Sequence, residues 1–200
     1  RRLSRSVDLN DASDATLVLE AIFEDMIAKR ELLKALDAIC APDCLFGSNT
    51  SSLSITEMAS GLQHEEQFLG IHFFNPAPVM KLVEIIRGDA TSEETLEVAL
   101  DLVRSIGKEP VICRESPGFI VNRILIPMIN EAVELLDCGV ASREDIDQAM
   151  KLGANHPMGP LELADFVGVD IVLAIMEVLY SETGDPKYRP SLMLRRLVRA

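Results

Sequence analysis

The apolar pattern of this chain changes period once, at Ser116-Pro117-Gly118, and that change constrains the fold more than any other feature. Before it, short apolar runs alternate with amphipathic segments. Leu17-Val18-Leu19 with Ala21-Ile22 reads as a buried strand, and Ile27 to Ile39 as a helix with Leu32, Leu33, Leu36 and Ile39 on one face. Pro42 closes that helix, because proline disfavours the α conformation in the residue before it. Cys44 to Gly47 is the next strand, Ser48 to Ser52 a polar loop, and Ser54 or Thr56 caps a short helix ending near Gly61. Phe68 to Phe74 and Lys81 to Ile86 read as consecutive strands. Ser92 to Ile106 is a helix capped by Ser92, with Glu93 and Glu94 in its first turn, and Pro110 to Cys113 is a final strand. This alternation predicts an α/β domain with a largely parallel sheet over residues 1–115.

Past Pro117 only helical spacing remains. Phe119 to Leu136 is a long helix in which Pro127 should introduce a kink. Ser142 opens a helix to about Lys151, Pro160 to Phe166 and Val169 to Tyr180 are two more, and the chain closes in an amphipathic basic helix. Residues 116–200 therefore form an all-helical domain.

Composition narrows the function. Of 200 residues 48% are apolar, enough for a sizeable core, and 19 basic against 32 acidic side chains leave a net charge of −13. Such a surface repels nucleic acid and anionic membranes, so neither is expected as a partner, and no apolar run is long enough for a membrane-spanning helix. Cys40, Cys44, Cys113 and Cys138 are few and scattered. They read as reduced, mostly buried thiols of a cytoplasmic protein, with no His or Cys spacing that would complete a metal site.

One polar constellation stands out. His72 ends the apolar run Gly70-Ile71-His72-Phe73-Phe74, and Glu84 lies twelve positions later on the next strand. If the intervening segment turns back, the carboxylate meets the imidazole, fixes its tautomer and stabilises its protonated form. Ser48, Asn49, Thr50 and Ser51 form a hydroxyl-rich loop at the carboxyl end of the preceding strand, where open α/β sheets bind ligands. Each also has an ordinary structural reading: a hydrogen-bonded strand-end His, a polar turn, a solvated edge Glu.

The runs Ser48 to Thr56 (SNTSSLSIT), His72 to Ile86 (HFFNPAPVMKLVEII), Ser116 to Ile124 (SPGFIVNRI) and Met150 to Gly168 (MKLGANHPMGPLELADFVG) together resemble the 3-hydroxyacyl-CoA dehydrogenase family, its short-chain 3-hydroxybutyryl-CoA branch in particular. The resemblance spans essentially the whole chain. It implies a Rossmann-type domain, here incomplete, followed by a helical domain, and an oxidoreductase that interconverts short-chain 3-hydroxyacyl-CoA and 3-oxoacyl-CoA with NAD or NADP.

By the same resemblance His72 is the general base, Glu84 its orienting partner, and Ser51 and Asn122 the polar groups at the substrate oxygen. Glu24, Lys29, Asn49, Ser51 and Asn75 fall on the cofactor side. The resemblance also implies a site in the cleft between the domains and a homodimer formed through the helical domain. The apolar Ile124, Ile126, Met128, Ile129, Val133 and Leu136 point to the same dimer, since a helix apolar nearly all round requires burial on every side. No G-x-G-x-x-G occurs in the chain. Against the family pattern, a βαβ unit carrying that turn is expected before Arg1, and a Gly-rich, aromatic tail after Ala200. The 200 residues alone are expected to have little dehydrogenase activity. Two alternatives stay open: a non-catalytic binding or structural protein on the same fold, and the dehydrogenase portion of a multifunctional fatty-acid oxidation protein.

Overall fold

In the computed structural model, which describes residues 3–200, the apolar runs of the first half become five short strands. These are β1 (Leu17–Glu20), β2 (Leu45–Ser48), β3 (Phe68–Phe73), β4 (Leu82–Arg87) and β5 (Glu109–Arg114). Three helices intervene: α1 (Met26–Asp37), α2 (Ile55–Ala59) and α3 (Glu93–Ser105). The strands lie side by side in sequence order. Three pairings are parallel, whereas β3 and β4 pair antiparallel, because residues 74–81 turn the chain straight back. Helix starts follow the local chemistry. Asp25 caps α1 through Ala28 N–H, Ser54 rather than Thr56 caps α2, and Ser92 caps α3 as expected.

The sheet is covered on both faces. Leu33 and Leu36 of α1 and Ile55, Met58 and Ala59 of α2 pack with Phe46, Phe68 and Ile86. On the other face Leu96, Ala99 and Val103 of α3 pack with Leu45, Leu69, Ile71, Val83 and Ile85. Gly70 lies opposite Ile86 in β4, and a Cβ on it would come within 2.8 Å of Ile86 and 2.9 Å of Ile55. Only glycine lets α2 approach β3 this closely.

The chain divides into two compact units, Arg1–Phe119 and Ile120–Ala200. The second holds five helices: α4 (Val121–Asp137), α5 (Arg143–Gly153), α6 (Pro160–Val167), α7 (Val169–Thr183) and α8 (Leu192–Arg199). Its core joins Ile126, Ile129 and Val133 of α4 to Ile146, Leu161, Val172, Met176, Leu179 and Leu194. Helix α4 runs through Pro127 as one element. Buried Asp147 of α5 caps α6: its two carboxylate oxygens accept Leu161 N–H at 2.8 Å and Glu162 N–H at 3.0 Å. Gly159 makes room for it, since a Cβ there would lie 2.3 Å from the Asp147 side chain.

The thiols depart from expectation. All four are free, but only Cys44 is buried; Cys40 and Cys113 are half-buried and Cys138 is exposed. Cys138 sits at the carboxyl end of α4, where the helix breaks into an exposed turn rather than meeting the core. Among the described residues no helix is long and apolar enough to cross a membrane.

Candidate active site

Strand alternation decides what faces what. Phe68 and Ile86 point to the α1–α2 face, so Gly70 and His72 of β3 and Glu84 of β4 share it. His72 and Glu84 are direct cross-strand partners. Their side chains meet with Nδ1 2.8 Å from Oε2, both almost wholly buried. The geometry assigns the Nδ1 proton to the bond with Glu84 and leaves Nε2 for chemistry.

Two aromatic rings confine the imidazole. Phe74 lies 4.6 Å away between ring centroids, and Phe119 meets the ring edge-on at 5.6 Å. Phe119 is buried and has φ of +50°, a left-handed backbone that is a genuine outlier for a bulky residue.

The same parity places Glu20 and Ser48 on this face, at the carboxyl ends of β1 and β2, where they pair in register. Beyond Ser48 the loop is held residue by residue. Asn49 Oδ1 accepts Phe73 N–H at 2.9 Å, which ties the loop to the strand that carries His72. Glu24 Oε1 accepts Thr50 Oγ1–H at 2.6 Å and Ser51 N–H at 2.9 Å.

Lys29 lies on α1 but is not on a solvated helix face. It is 1% exposed, with Nζ 2.8 Å from Glu20 Oε1 and 3.3 Å from Glu24 Oε2. Asn75, directly before a cis peptide to Pro76, is exposed. Asn122 occupies the first turn of α4 in the second unit.

The first unit thus brings His72 together with Glu84, and Ser51 together with Glu24 and Lys29, with Asn49 joining the two groups. Glu20 and Phe119 escaped the sequence reading. A Glu closing an apolar strand was a usable signal for the first. Nothing in the sequence marks a phenylalanine as left-handed.

At the carboxyl ends of β1 and β2, where α/β sheets bind ligands, Glu20, Lys29, Ser48 and Thr50 are buried and hydrogen-bonded within the cluster. Of the sequence-expected cofactor residues on this unit, Glu24, Asn49 and Ser51 reach the surface here, whereas Lys29 is buried with its ammonium engaged by Glu20, Ile22 O and Glu24.

Residues 1–116 match the family model described as the NAD binding domain of 3-hydroxyacyl-CoA dehydrogenase, and residues 118–200 match that described as its C-terminal domain. A 3-hydroxybutyryl-CoA dehydrogenase from Clostridioides difficile is 54% identical over 99% of this chain and 70% of its own. The mitochondrial hydroxyacyl-coenzyme A dehydrogenase of Sus scrofa is 47% identical over 98% of this chain and 63% of its own. Among solved structures, an (S)-3-hydroxybutyryl-CoA dehydrogenase from Ralstonia eutropha superposes with a TM-score of 0.94 at 49% identity, covering 97% of this chain and 69% of that one.

Proposed function

This chain belongs to the 3-hydroxyacyl-CoA dehydrogenase family, a family of NAD-binding oxidoreductases, and from that premise we propose that it interconverts short-chain 3-hydroxyacyl-CoA, such as 3-hydroxybutyryl-CoA, and the corresponding 3-oxoacyl-CoA. The observation that carries the reading is the buried His72–Glu84 pair at 2.8 Å, at the carboxyl end of β3.

Oxidation of a secondary alcohol removes a proton from oxygen and a hydride from carbon. A bound nicotinamide cofactor, NAD or NADP, would supply the hydride acceptor, because no side chain accepts hydride. His72 Nε2 takes the hydroxyl proton. Glu84 keeps the imidazole in the tautomer that accepts at Nε2, and its charge stabilises the imidazolium that forms. Ser51 and Asn122 serve as donors to the oxygen as it gains alkoxide character; donors fixed in advance do this without reorganisation. Glu24, Asn49 and Asn75 hold the cofactor, and Lys29, buried with its donors on Glu20, Ile22 O and Glu24, acts through Glu24 rather than on the cofactor itself. The aromatic rings of Phe74 and Phe119 keep water from the imidazole.

The same reading includes a homodimer through the helical domain, supported by the large exposure of apolar Ile124 on α4 and Ile171 on α7. It also includes a cytoplasmic setting in fatty-acid or butyrate-type metabolism, supported by the four free thiols.

The protein that contains this chain should reduce acetoacetyl-CoA at the expense of NADH or NADPH. His72→Gln lowers kcat about 10²–10⁴-fold while KM for the acyl-CoA changes far less. Glu84→Gln adds little on top, since it acts through the same imidazole. Absence of turnover in the unaltered protein overturns the reading, and independent, additive losses in the double variant break the dyad.

A further inference from the structure

The Glu20 side chain has no exposed surface. A carboxylate taken out of water is costly unless it is both paired and hydrogen-bonded. Glu20 is both. Oε1 accepts Ile22 N–H at 2.6 Å and lies 2.8 Å from Lys29 Nζ. Oε2 accepts Ser48 Oγ–H at 2.6 Å and lies 3.1 Å from the same ammonium. Stability alone does not account for this arrangement, because a buried ion pair is often no better than apolar side chains of the same volume.

Its consequence lies in the loop beyond β2. Ser48 spends its hydroxyl proton on Glu20, so its oxygen is left to accept Thr50 N–H at 3.2 Å. On the other side Lys29 divides its donors among Glu20, Ile22 O at 3.1 Å and Glu24 Oε2 at 3.3 Å. Glu24, held there, accepts from Thr50 Oγ1 and Ser51 N. Two chains of hydrogen bonds leave one carboxylate and converge on Thr50 and Ser51.

We propose that Glu20 is the positioning residue of the Ser51 loop, acting through Ser48 on one side and through Lys29 and Glu24 on the other. The placement of the loop rests on geometry alone; its effect on turnover rests on the dehydrogenase reading above. An amide is a poor replacement for the carboxylate. Lys29 Nζ, which can only donate, lies 2.8 Å from Oε1 and 3.1 Å from Oε2, so the NH2 of a glutamine at position 20 faces the ammonium in either orientation.

The test separates loop order from fold stability. Glu20→Gln and the double variant Glu20→Gln/Lys29→Met are compared with the unaltered chain by amide hydrogen exchange. The double variant removes both buried charges and so avoids leaving either one unpaired. In both variants the amides of Thr50 and Ser51 should exchange about tenfold faster or more, the loss of one charge-assisted hydrogen bond. The β2 and β3 amides of the double variant should keep their original rates. In the protein that contains this chain, kcat should fall about tenfold in both variants with KM for the acyl-CoA little changed.

Loop amides that stay protected, or that loosen only in proportion to the sheet, overturn the proposal. If Glu20→Gln does not fold, Glu20→Asp carries the same comparison, since it keeps the charge but withdraws it from Ser48 by one methylene. An unaltered protein without turnover would defeat the dehydrogenase reading and leave the exchange rates to decide on Glu20.

Discussion

At the scale of single residues, the protonation of the thiols is set by where they sit. Burial pushes the Cys113 thiol up to about 11 from its ordinary 9.0, and the Glu84 carboxylate adds to the rise. Burial does the same to Cys44, again to about 11, with the neighbouring Cys40 thiol contributing. Each native thiol therefore holds its proton where the unfolded chain has lost it. The stability present below pH 9 is lost as pH rises from 9 through 11. Urea midpoints should fall across that window, and less steeply in Cys113→Ala; a flat profile would contradict the assignment. In iodoacetamide at pH 8, exposed Cys138 should be modified well before Cys113 or Cys44, as mass spectrometry of the peptides would show. The contact of His72 with Glu84 was legible at this scale, because both residues punctuate apolar runs. The environment of Lys29 was not, since helical spacing alone cannot reveal that Glu20 and Glu24 lie over it.

At the scale of elements, the strands were readable from short apolar runs, while the reversal between β3 and β4 stood in the sequence only as the condition for His72 to meet Glu84, and the antiparallel register supplies it. What the runs could not convey is the docking of α6 on α5. Asp147 reads in sequence as one more acidic residue on a solvated helix, yet it closes two N–H groups of α6 from within the core. Only glycine at position 159 leaves it room. Asp147→Ala should destabilise the helical unit by about 1.5–3 kcal/mol, the cost of losing hydrogen bonds to a charged group. Gly159→Ala should do comparable damage from the other side, and the two losses should not add, because they act on one contact. Denaturant titration of the three variants gives the comparison. Full additivity would show that the cap and the glycine are independent.

At the scale of the whole molecule, the apolar residues of α4 divide between two tasks. Ile126, Ile129 and Val133 are spent on the core, while Ile124 is 70% exposed. We expect sedimentation of the protein that contains this chain to give a dimer at micromolar concentration, and Ile124→Glu to shift it towards monomer without unfolding it. A monomer in the unaltered protein would refute the assembly. The sheet has a consequence of another kind. Glu20, Ser48, His72 and Glu84 occupy the same alternate positions that hold Val18, Phe46, Phe68 and Ile86 against α1 and α2. A single residue inserted or deleted between the core position and the polar position of β1, β2, β3 or β4 would turn one of the two to the opposite face. Descendants of this sequence can change the length of exposed turns such as 139–141, but within the sheet they can diverge only by substitution. Genuine relatives should therefore align through these strands without gaps, however far their identities have drifted.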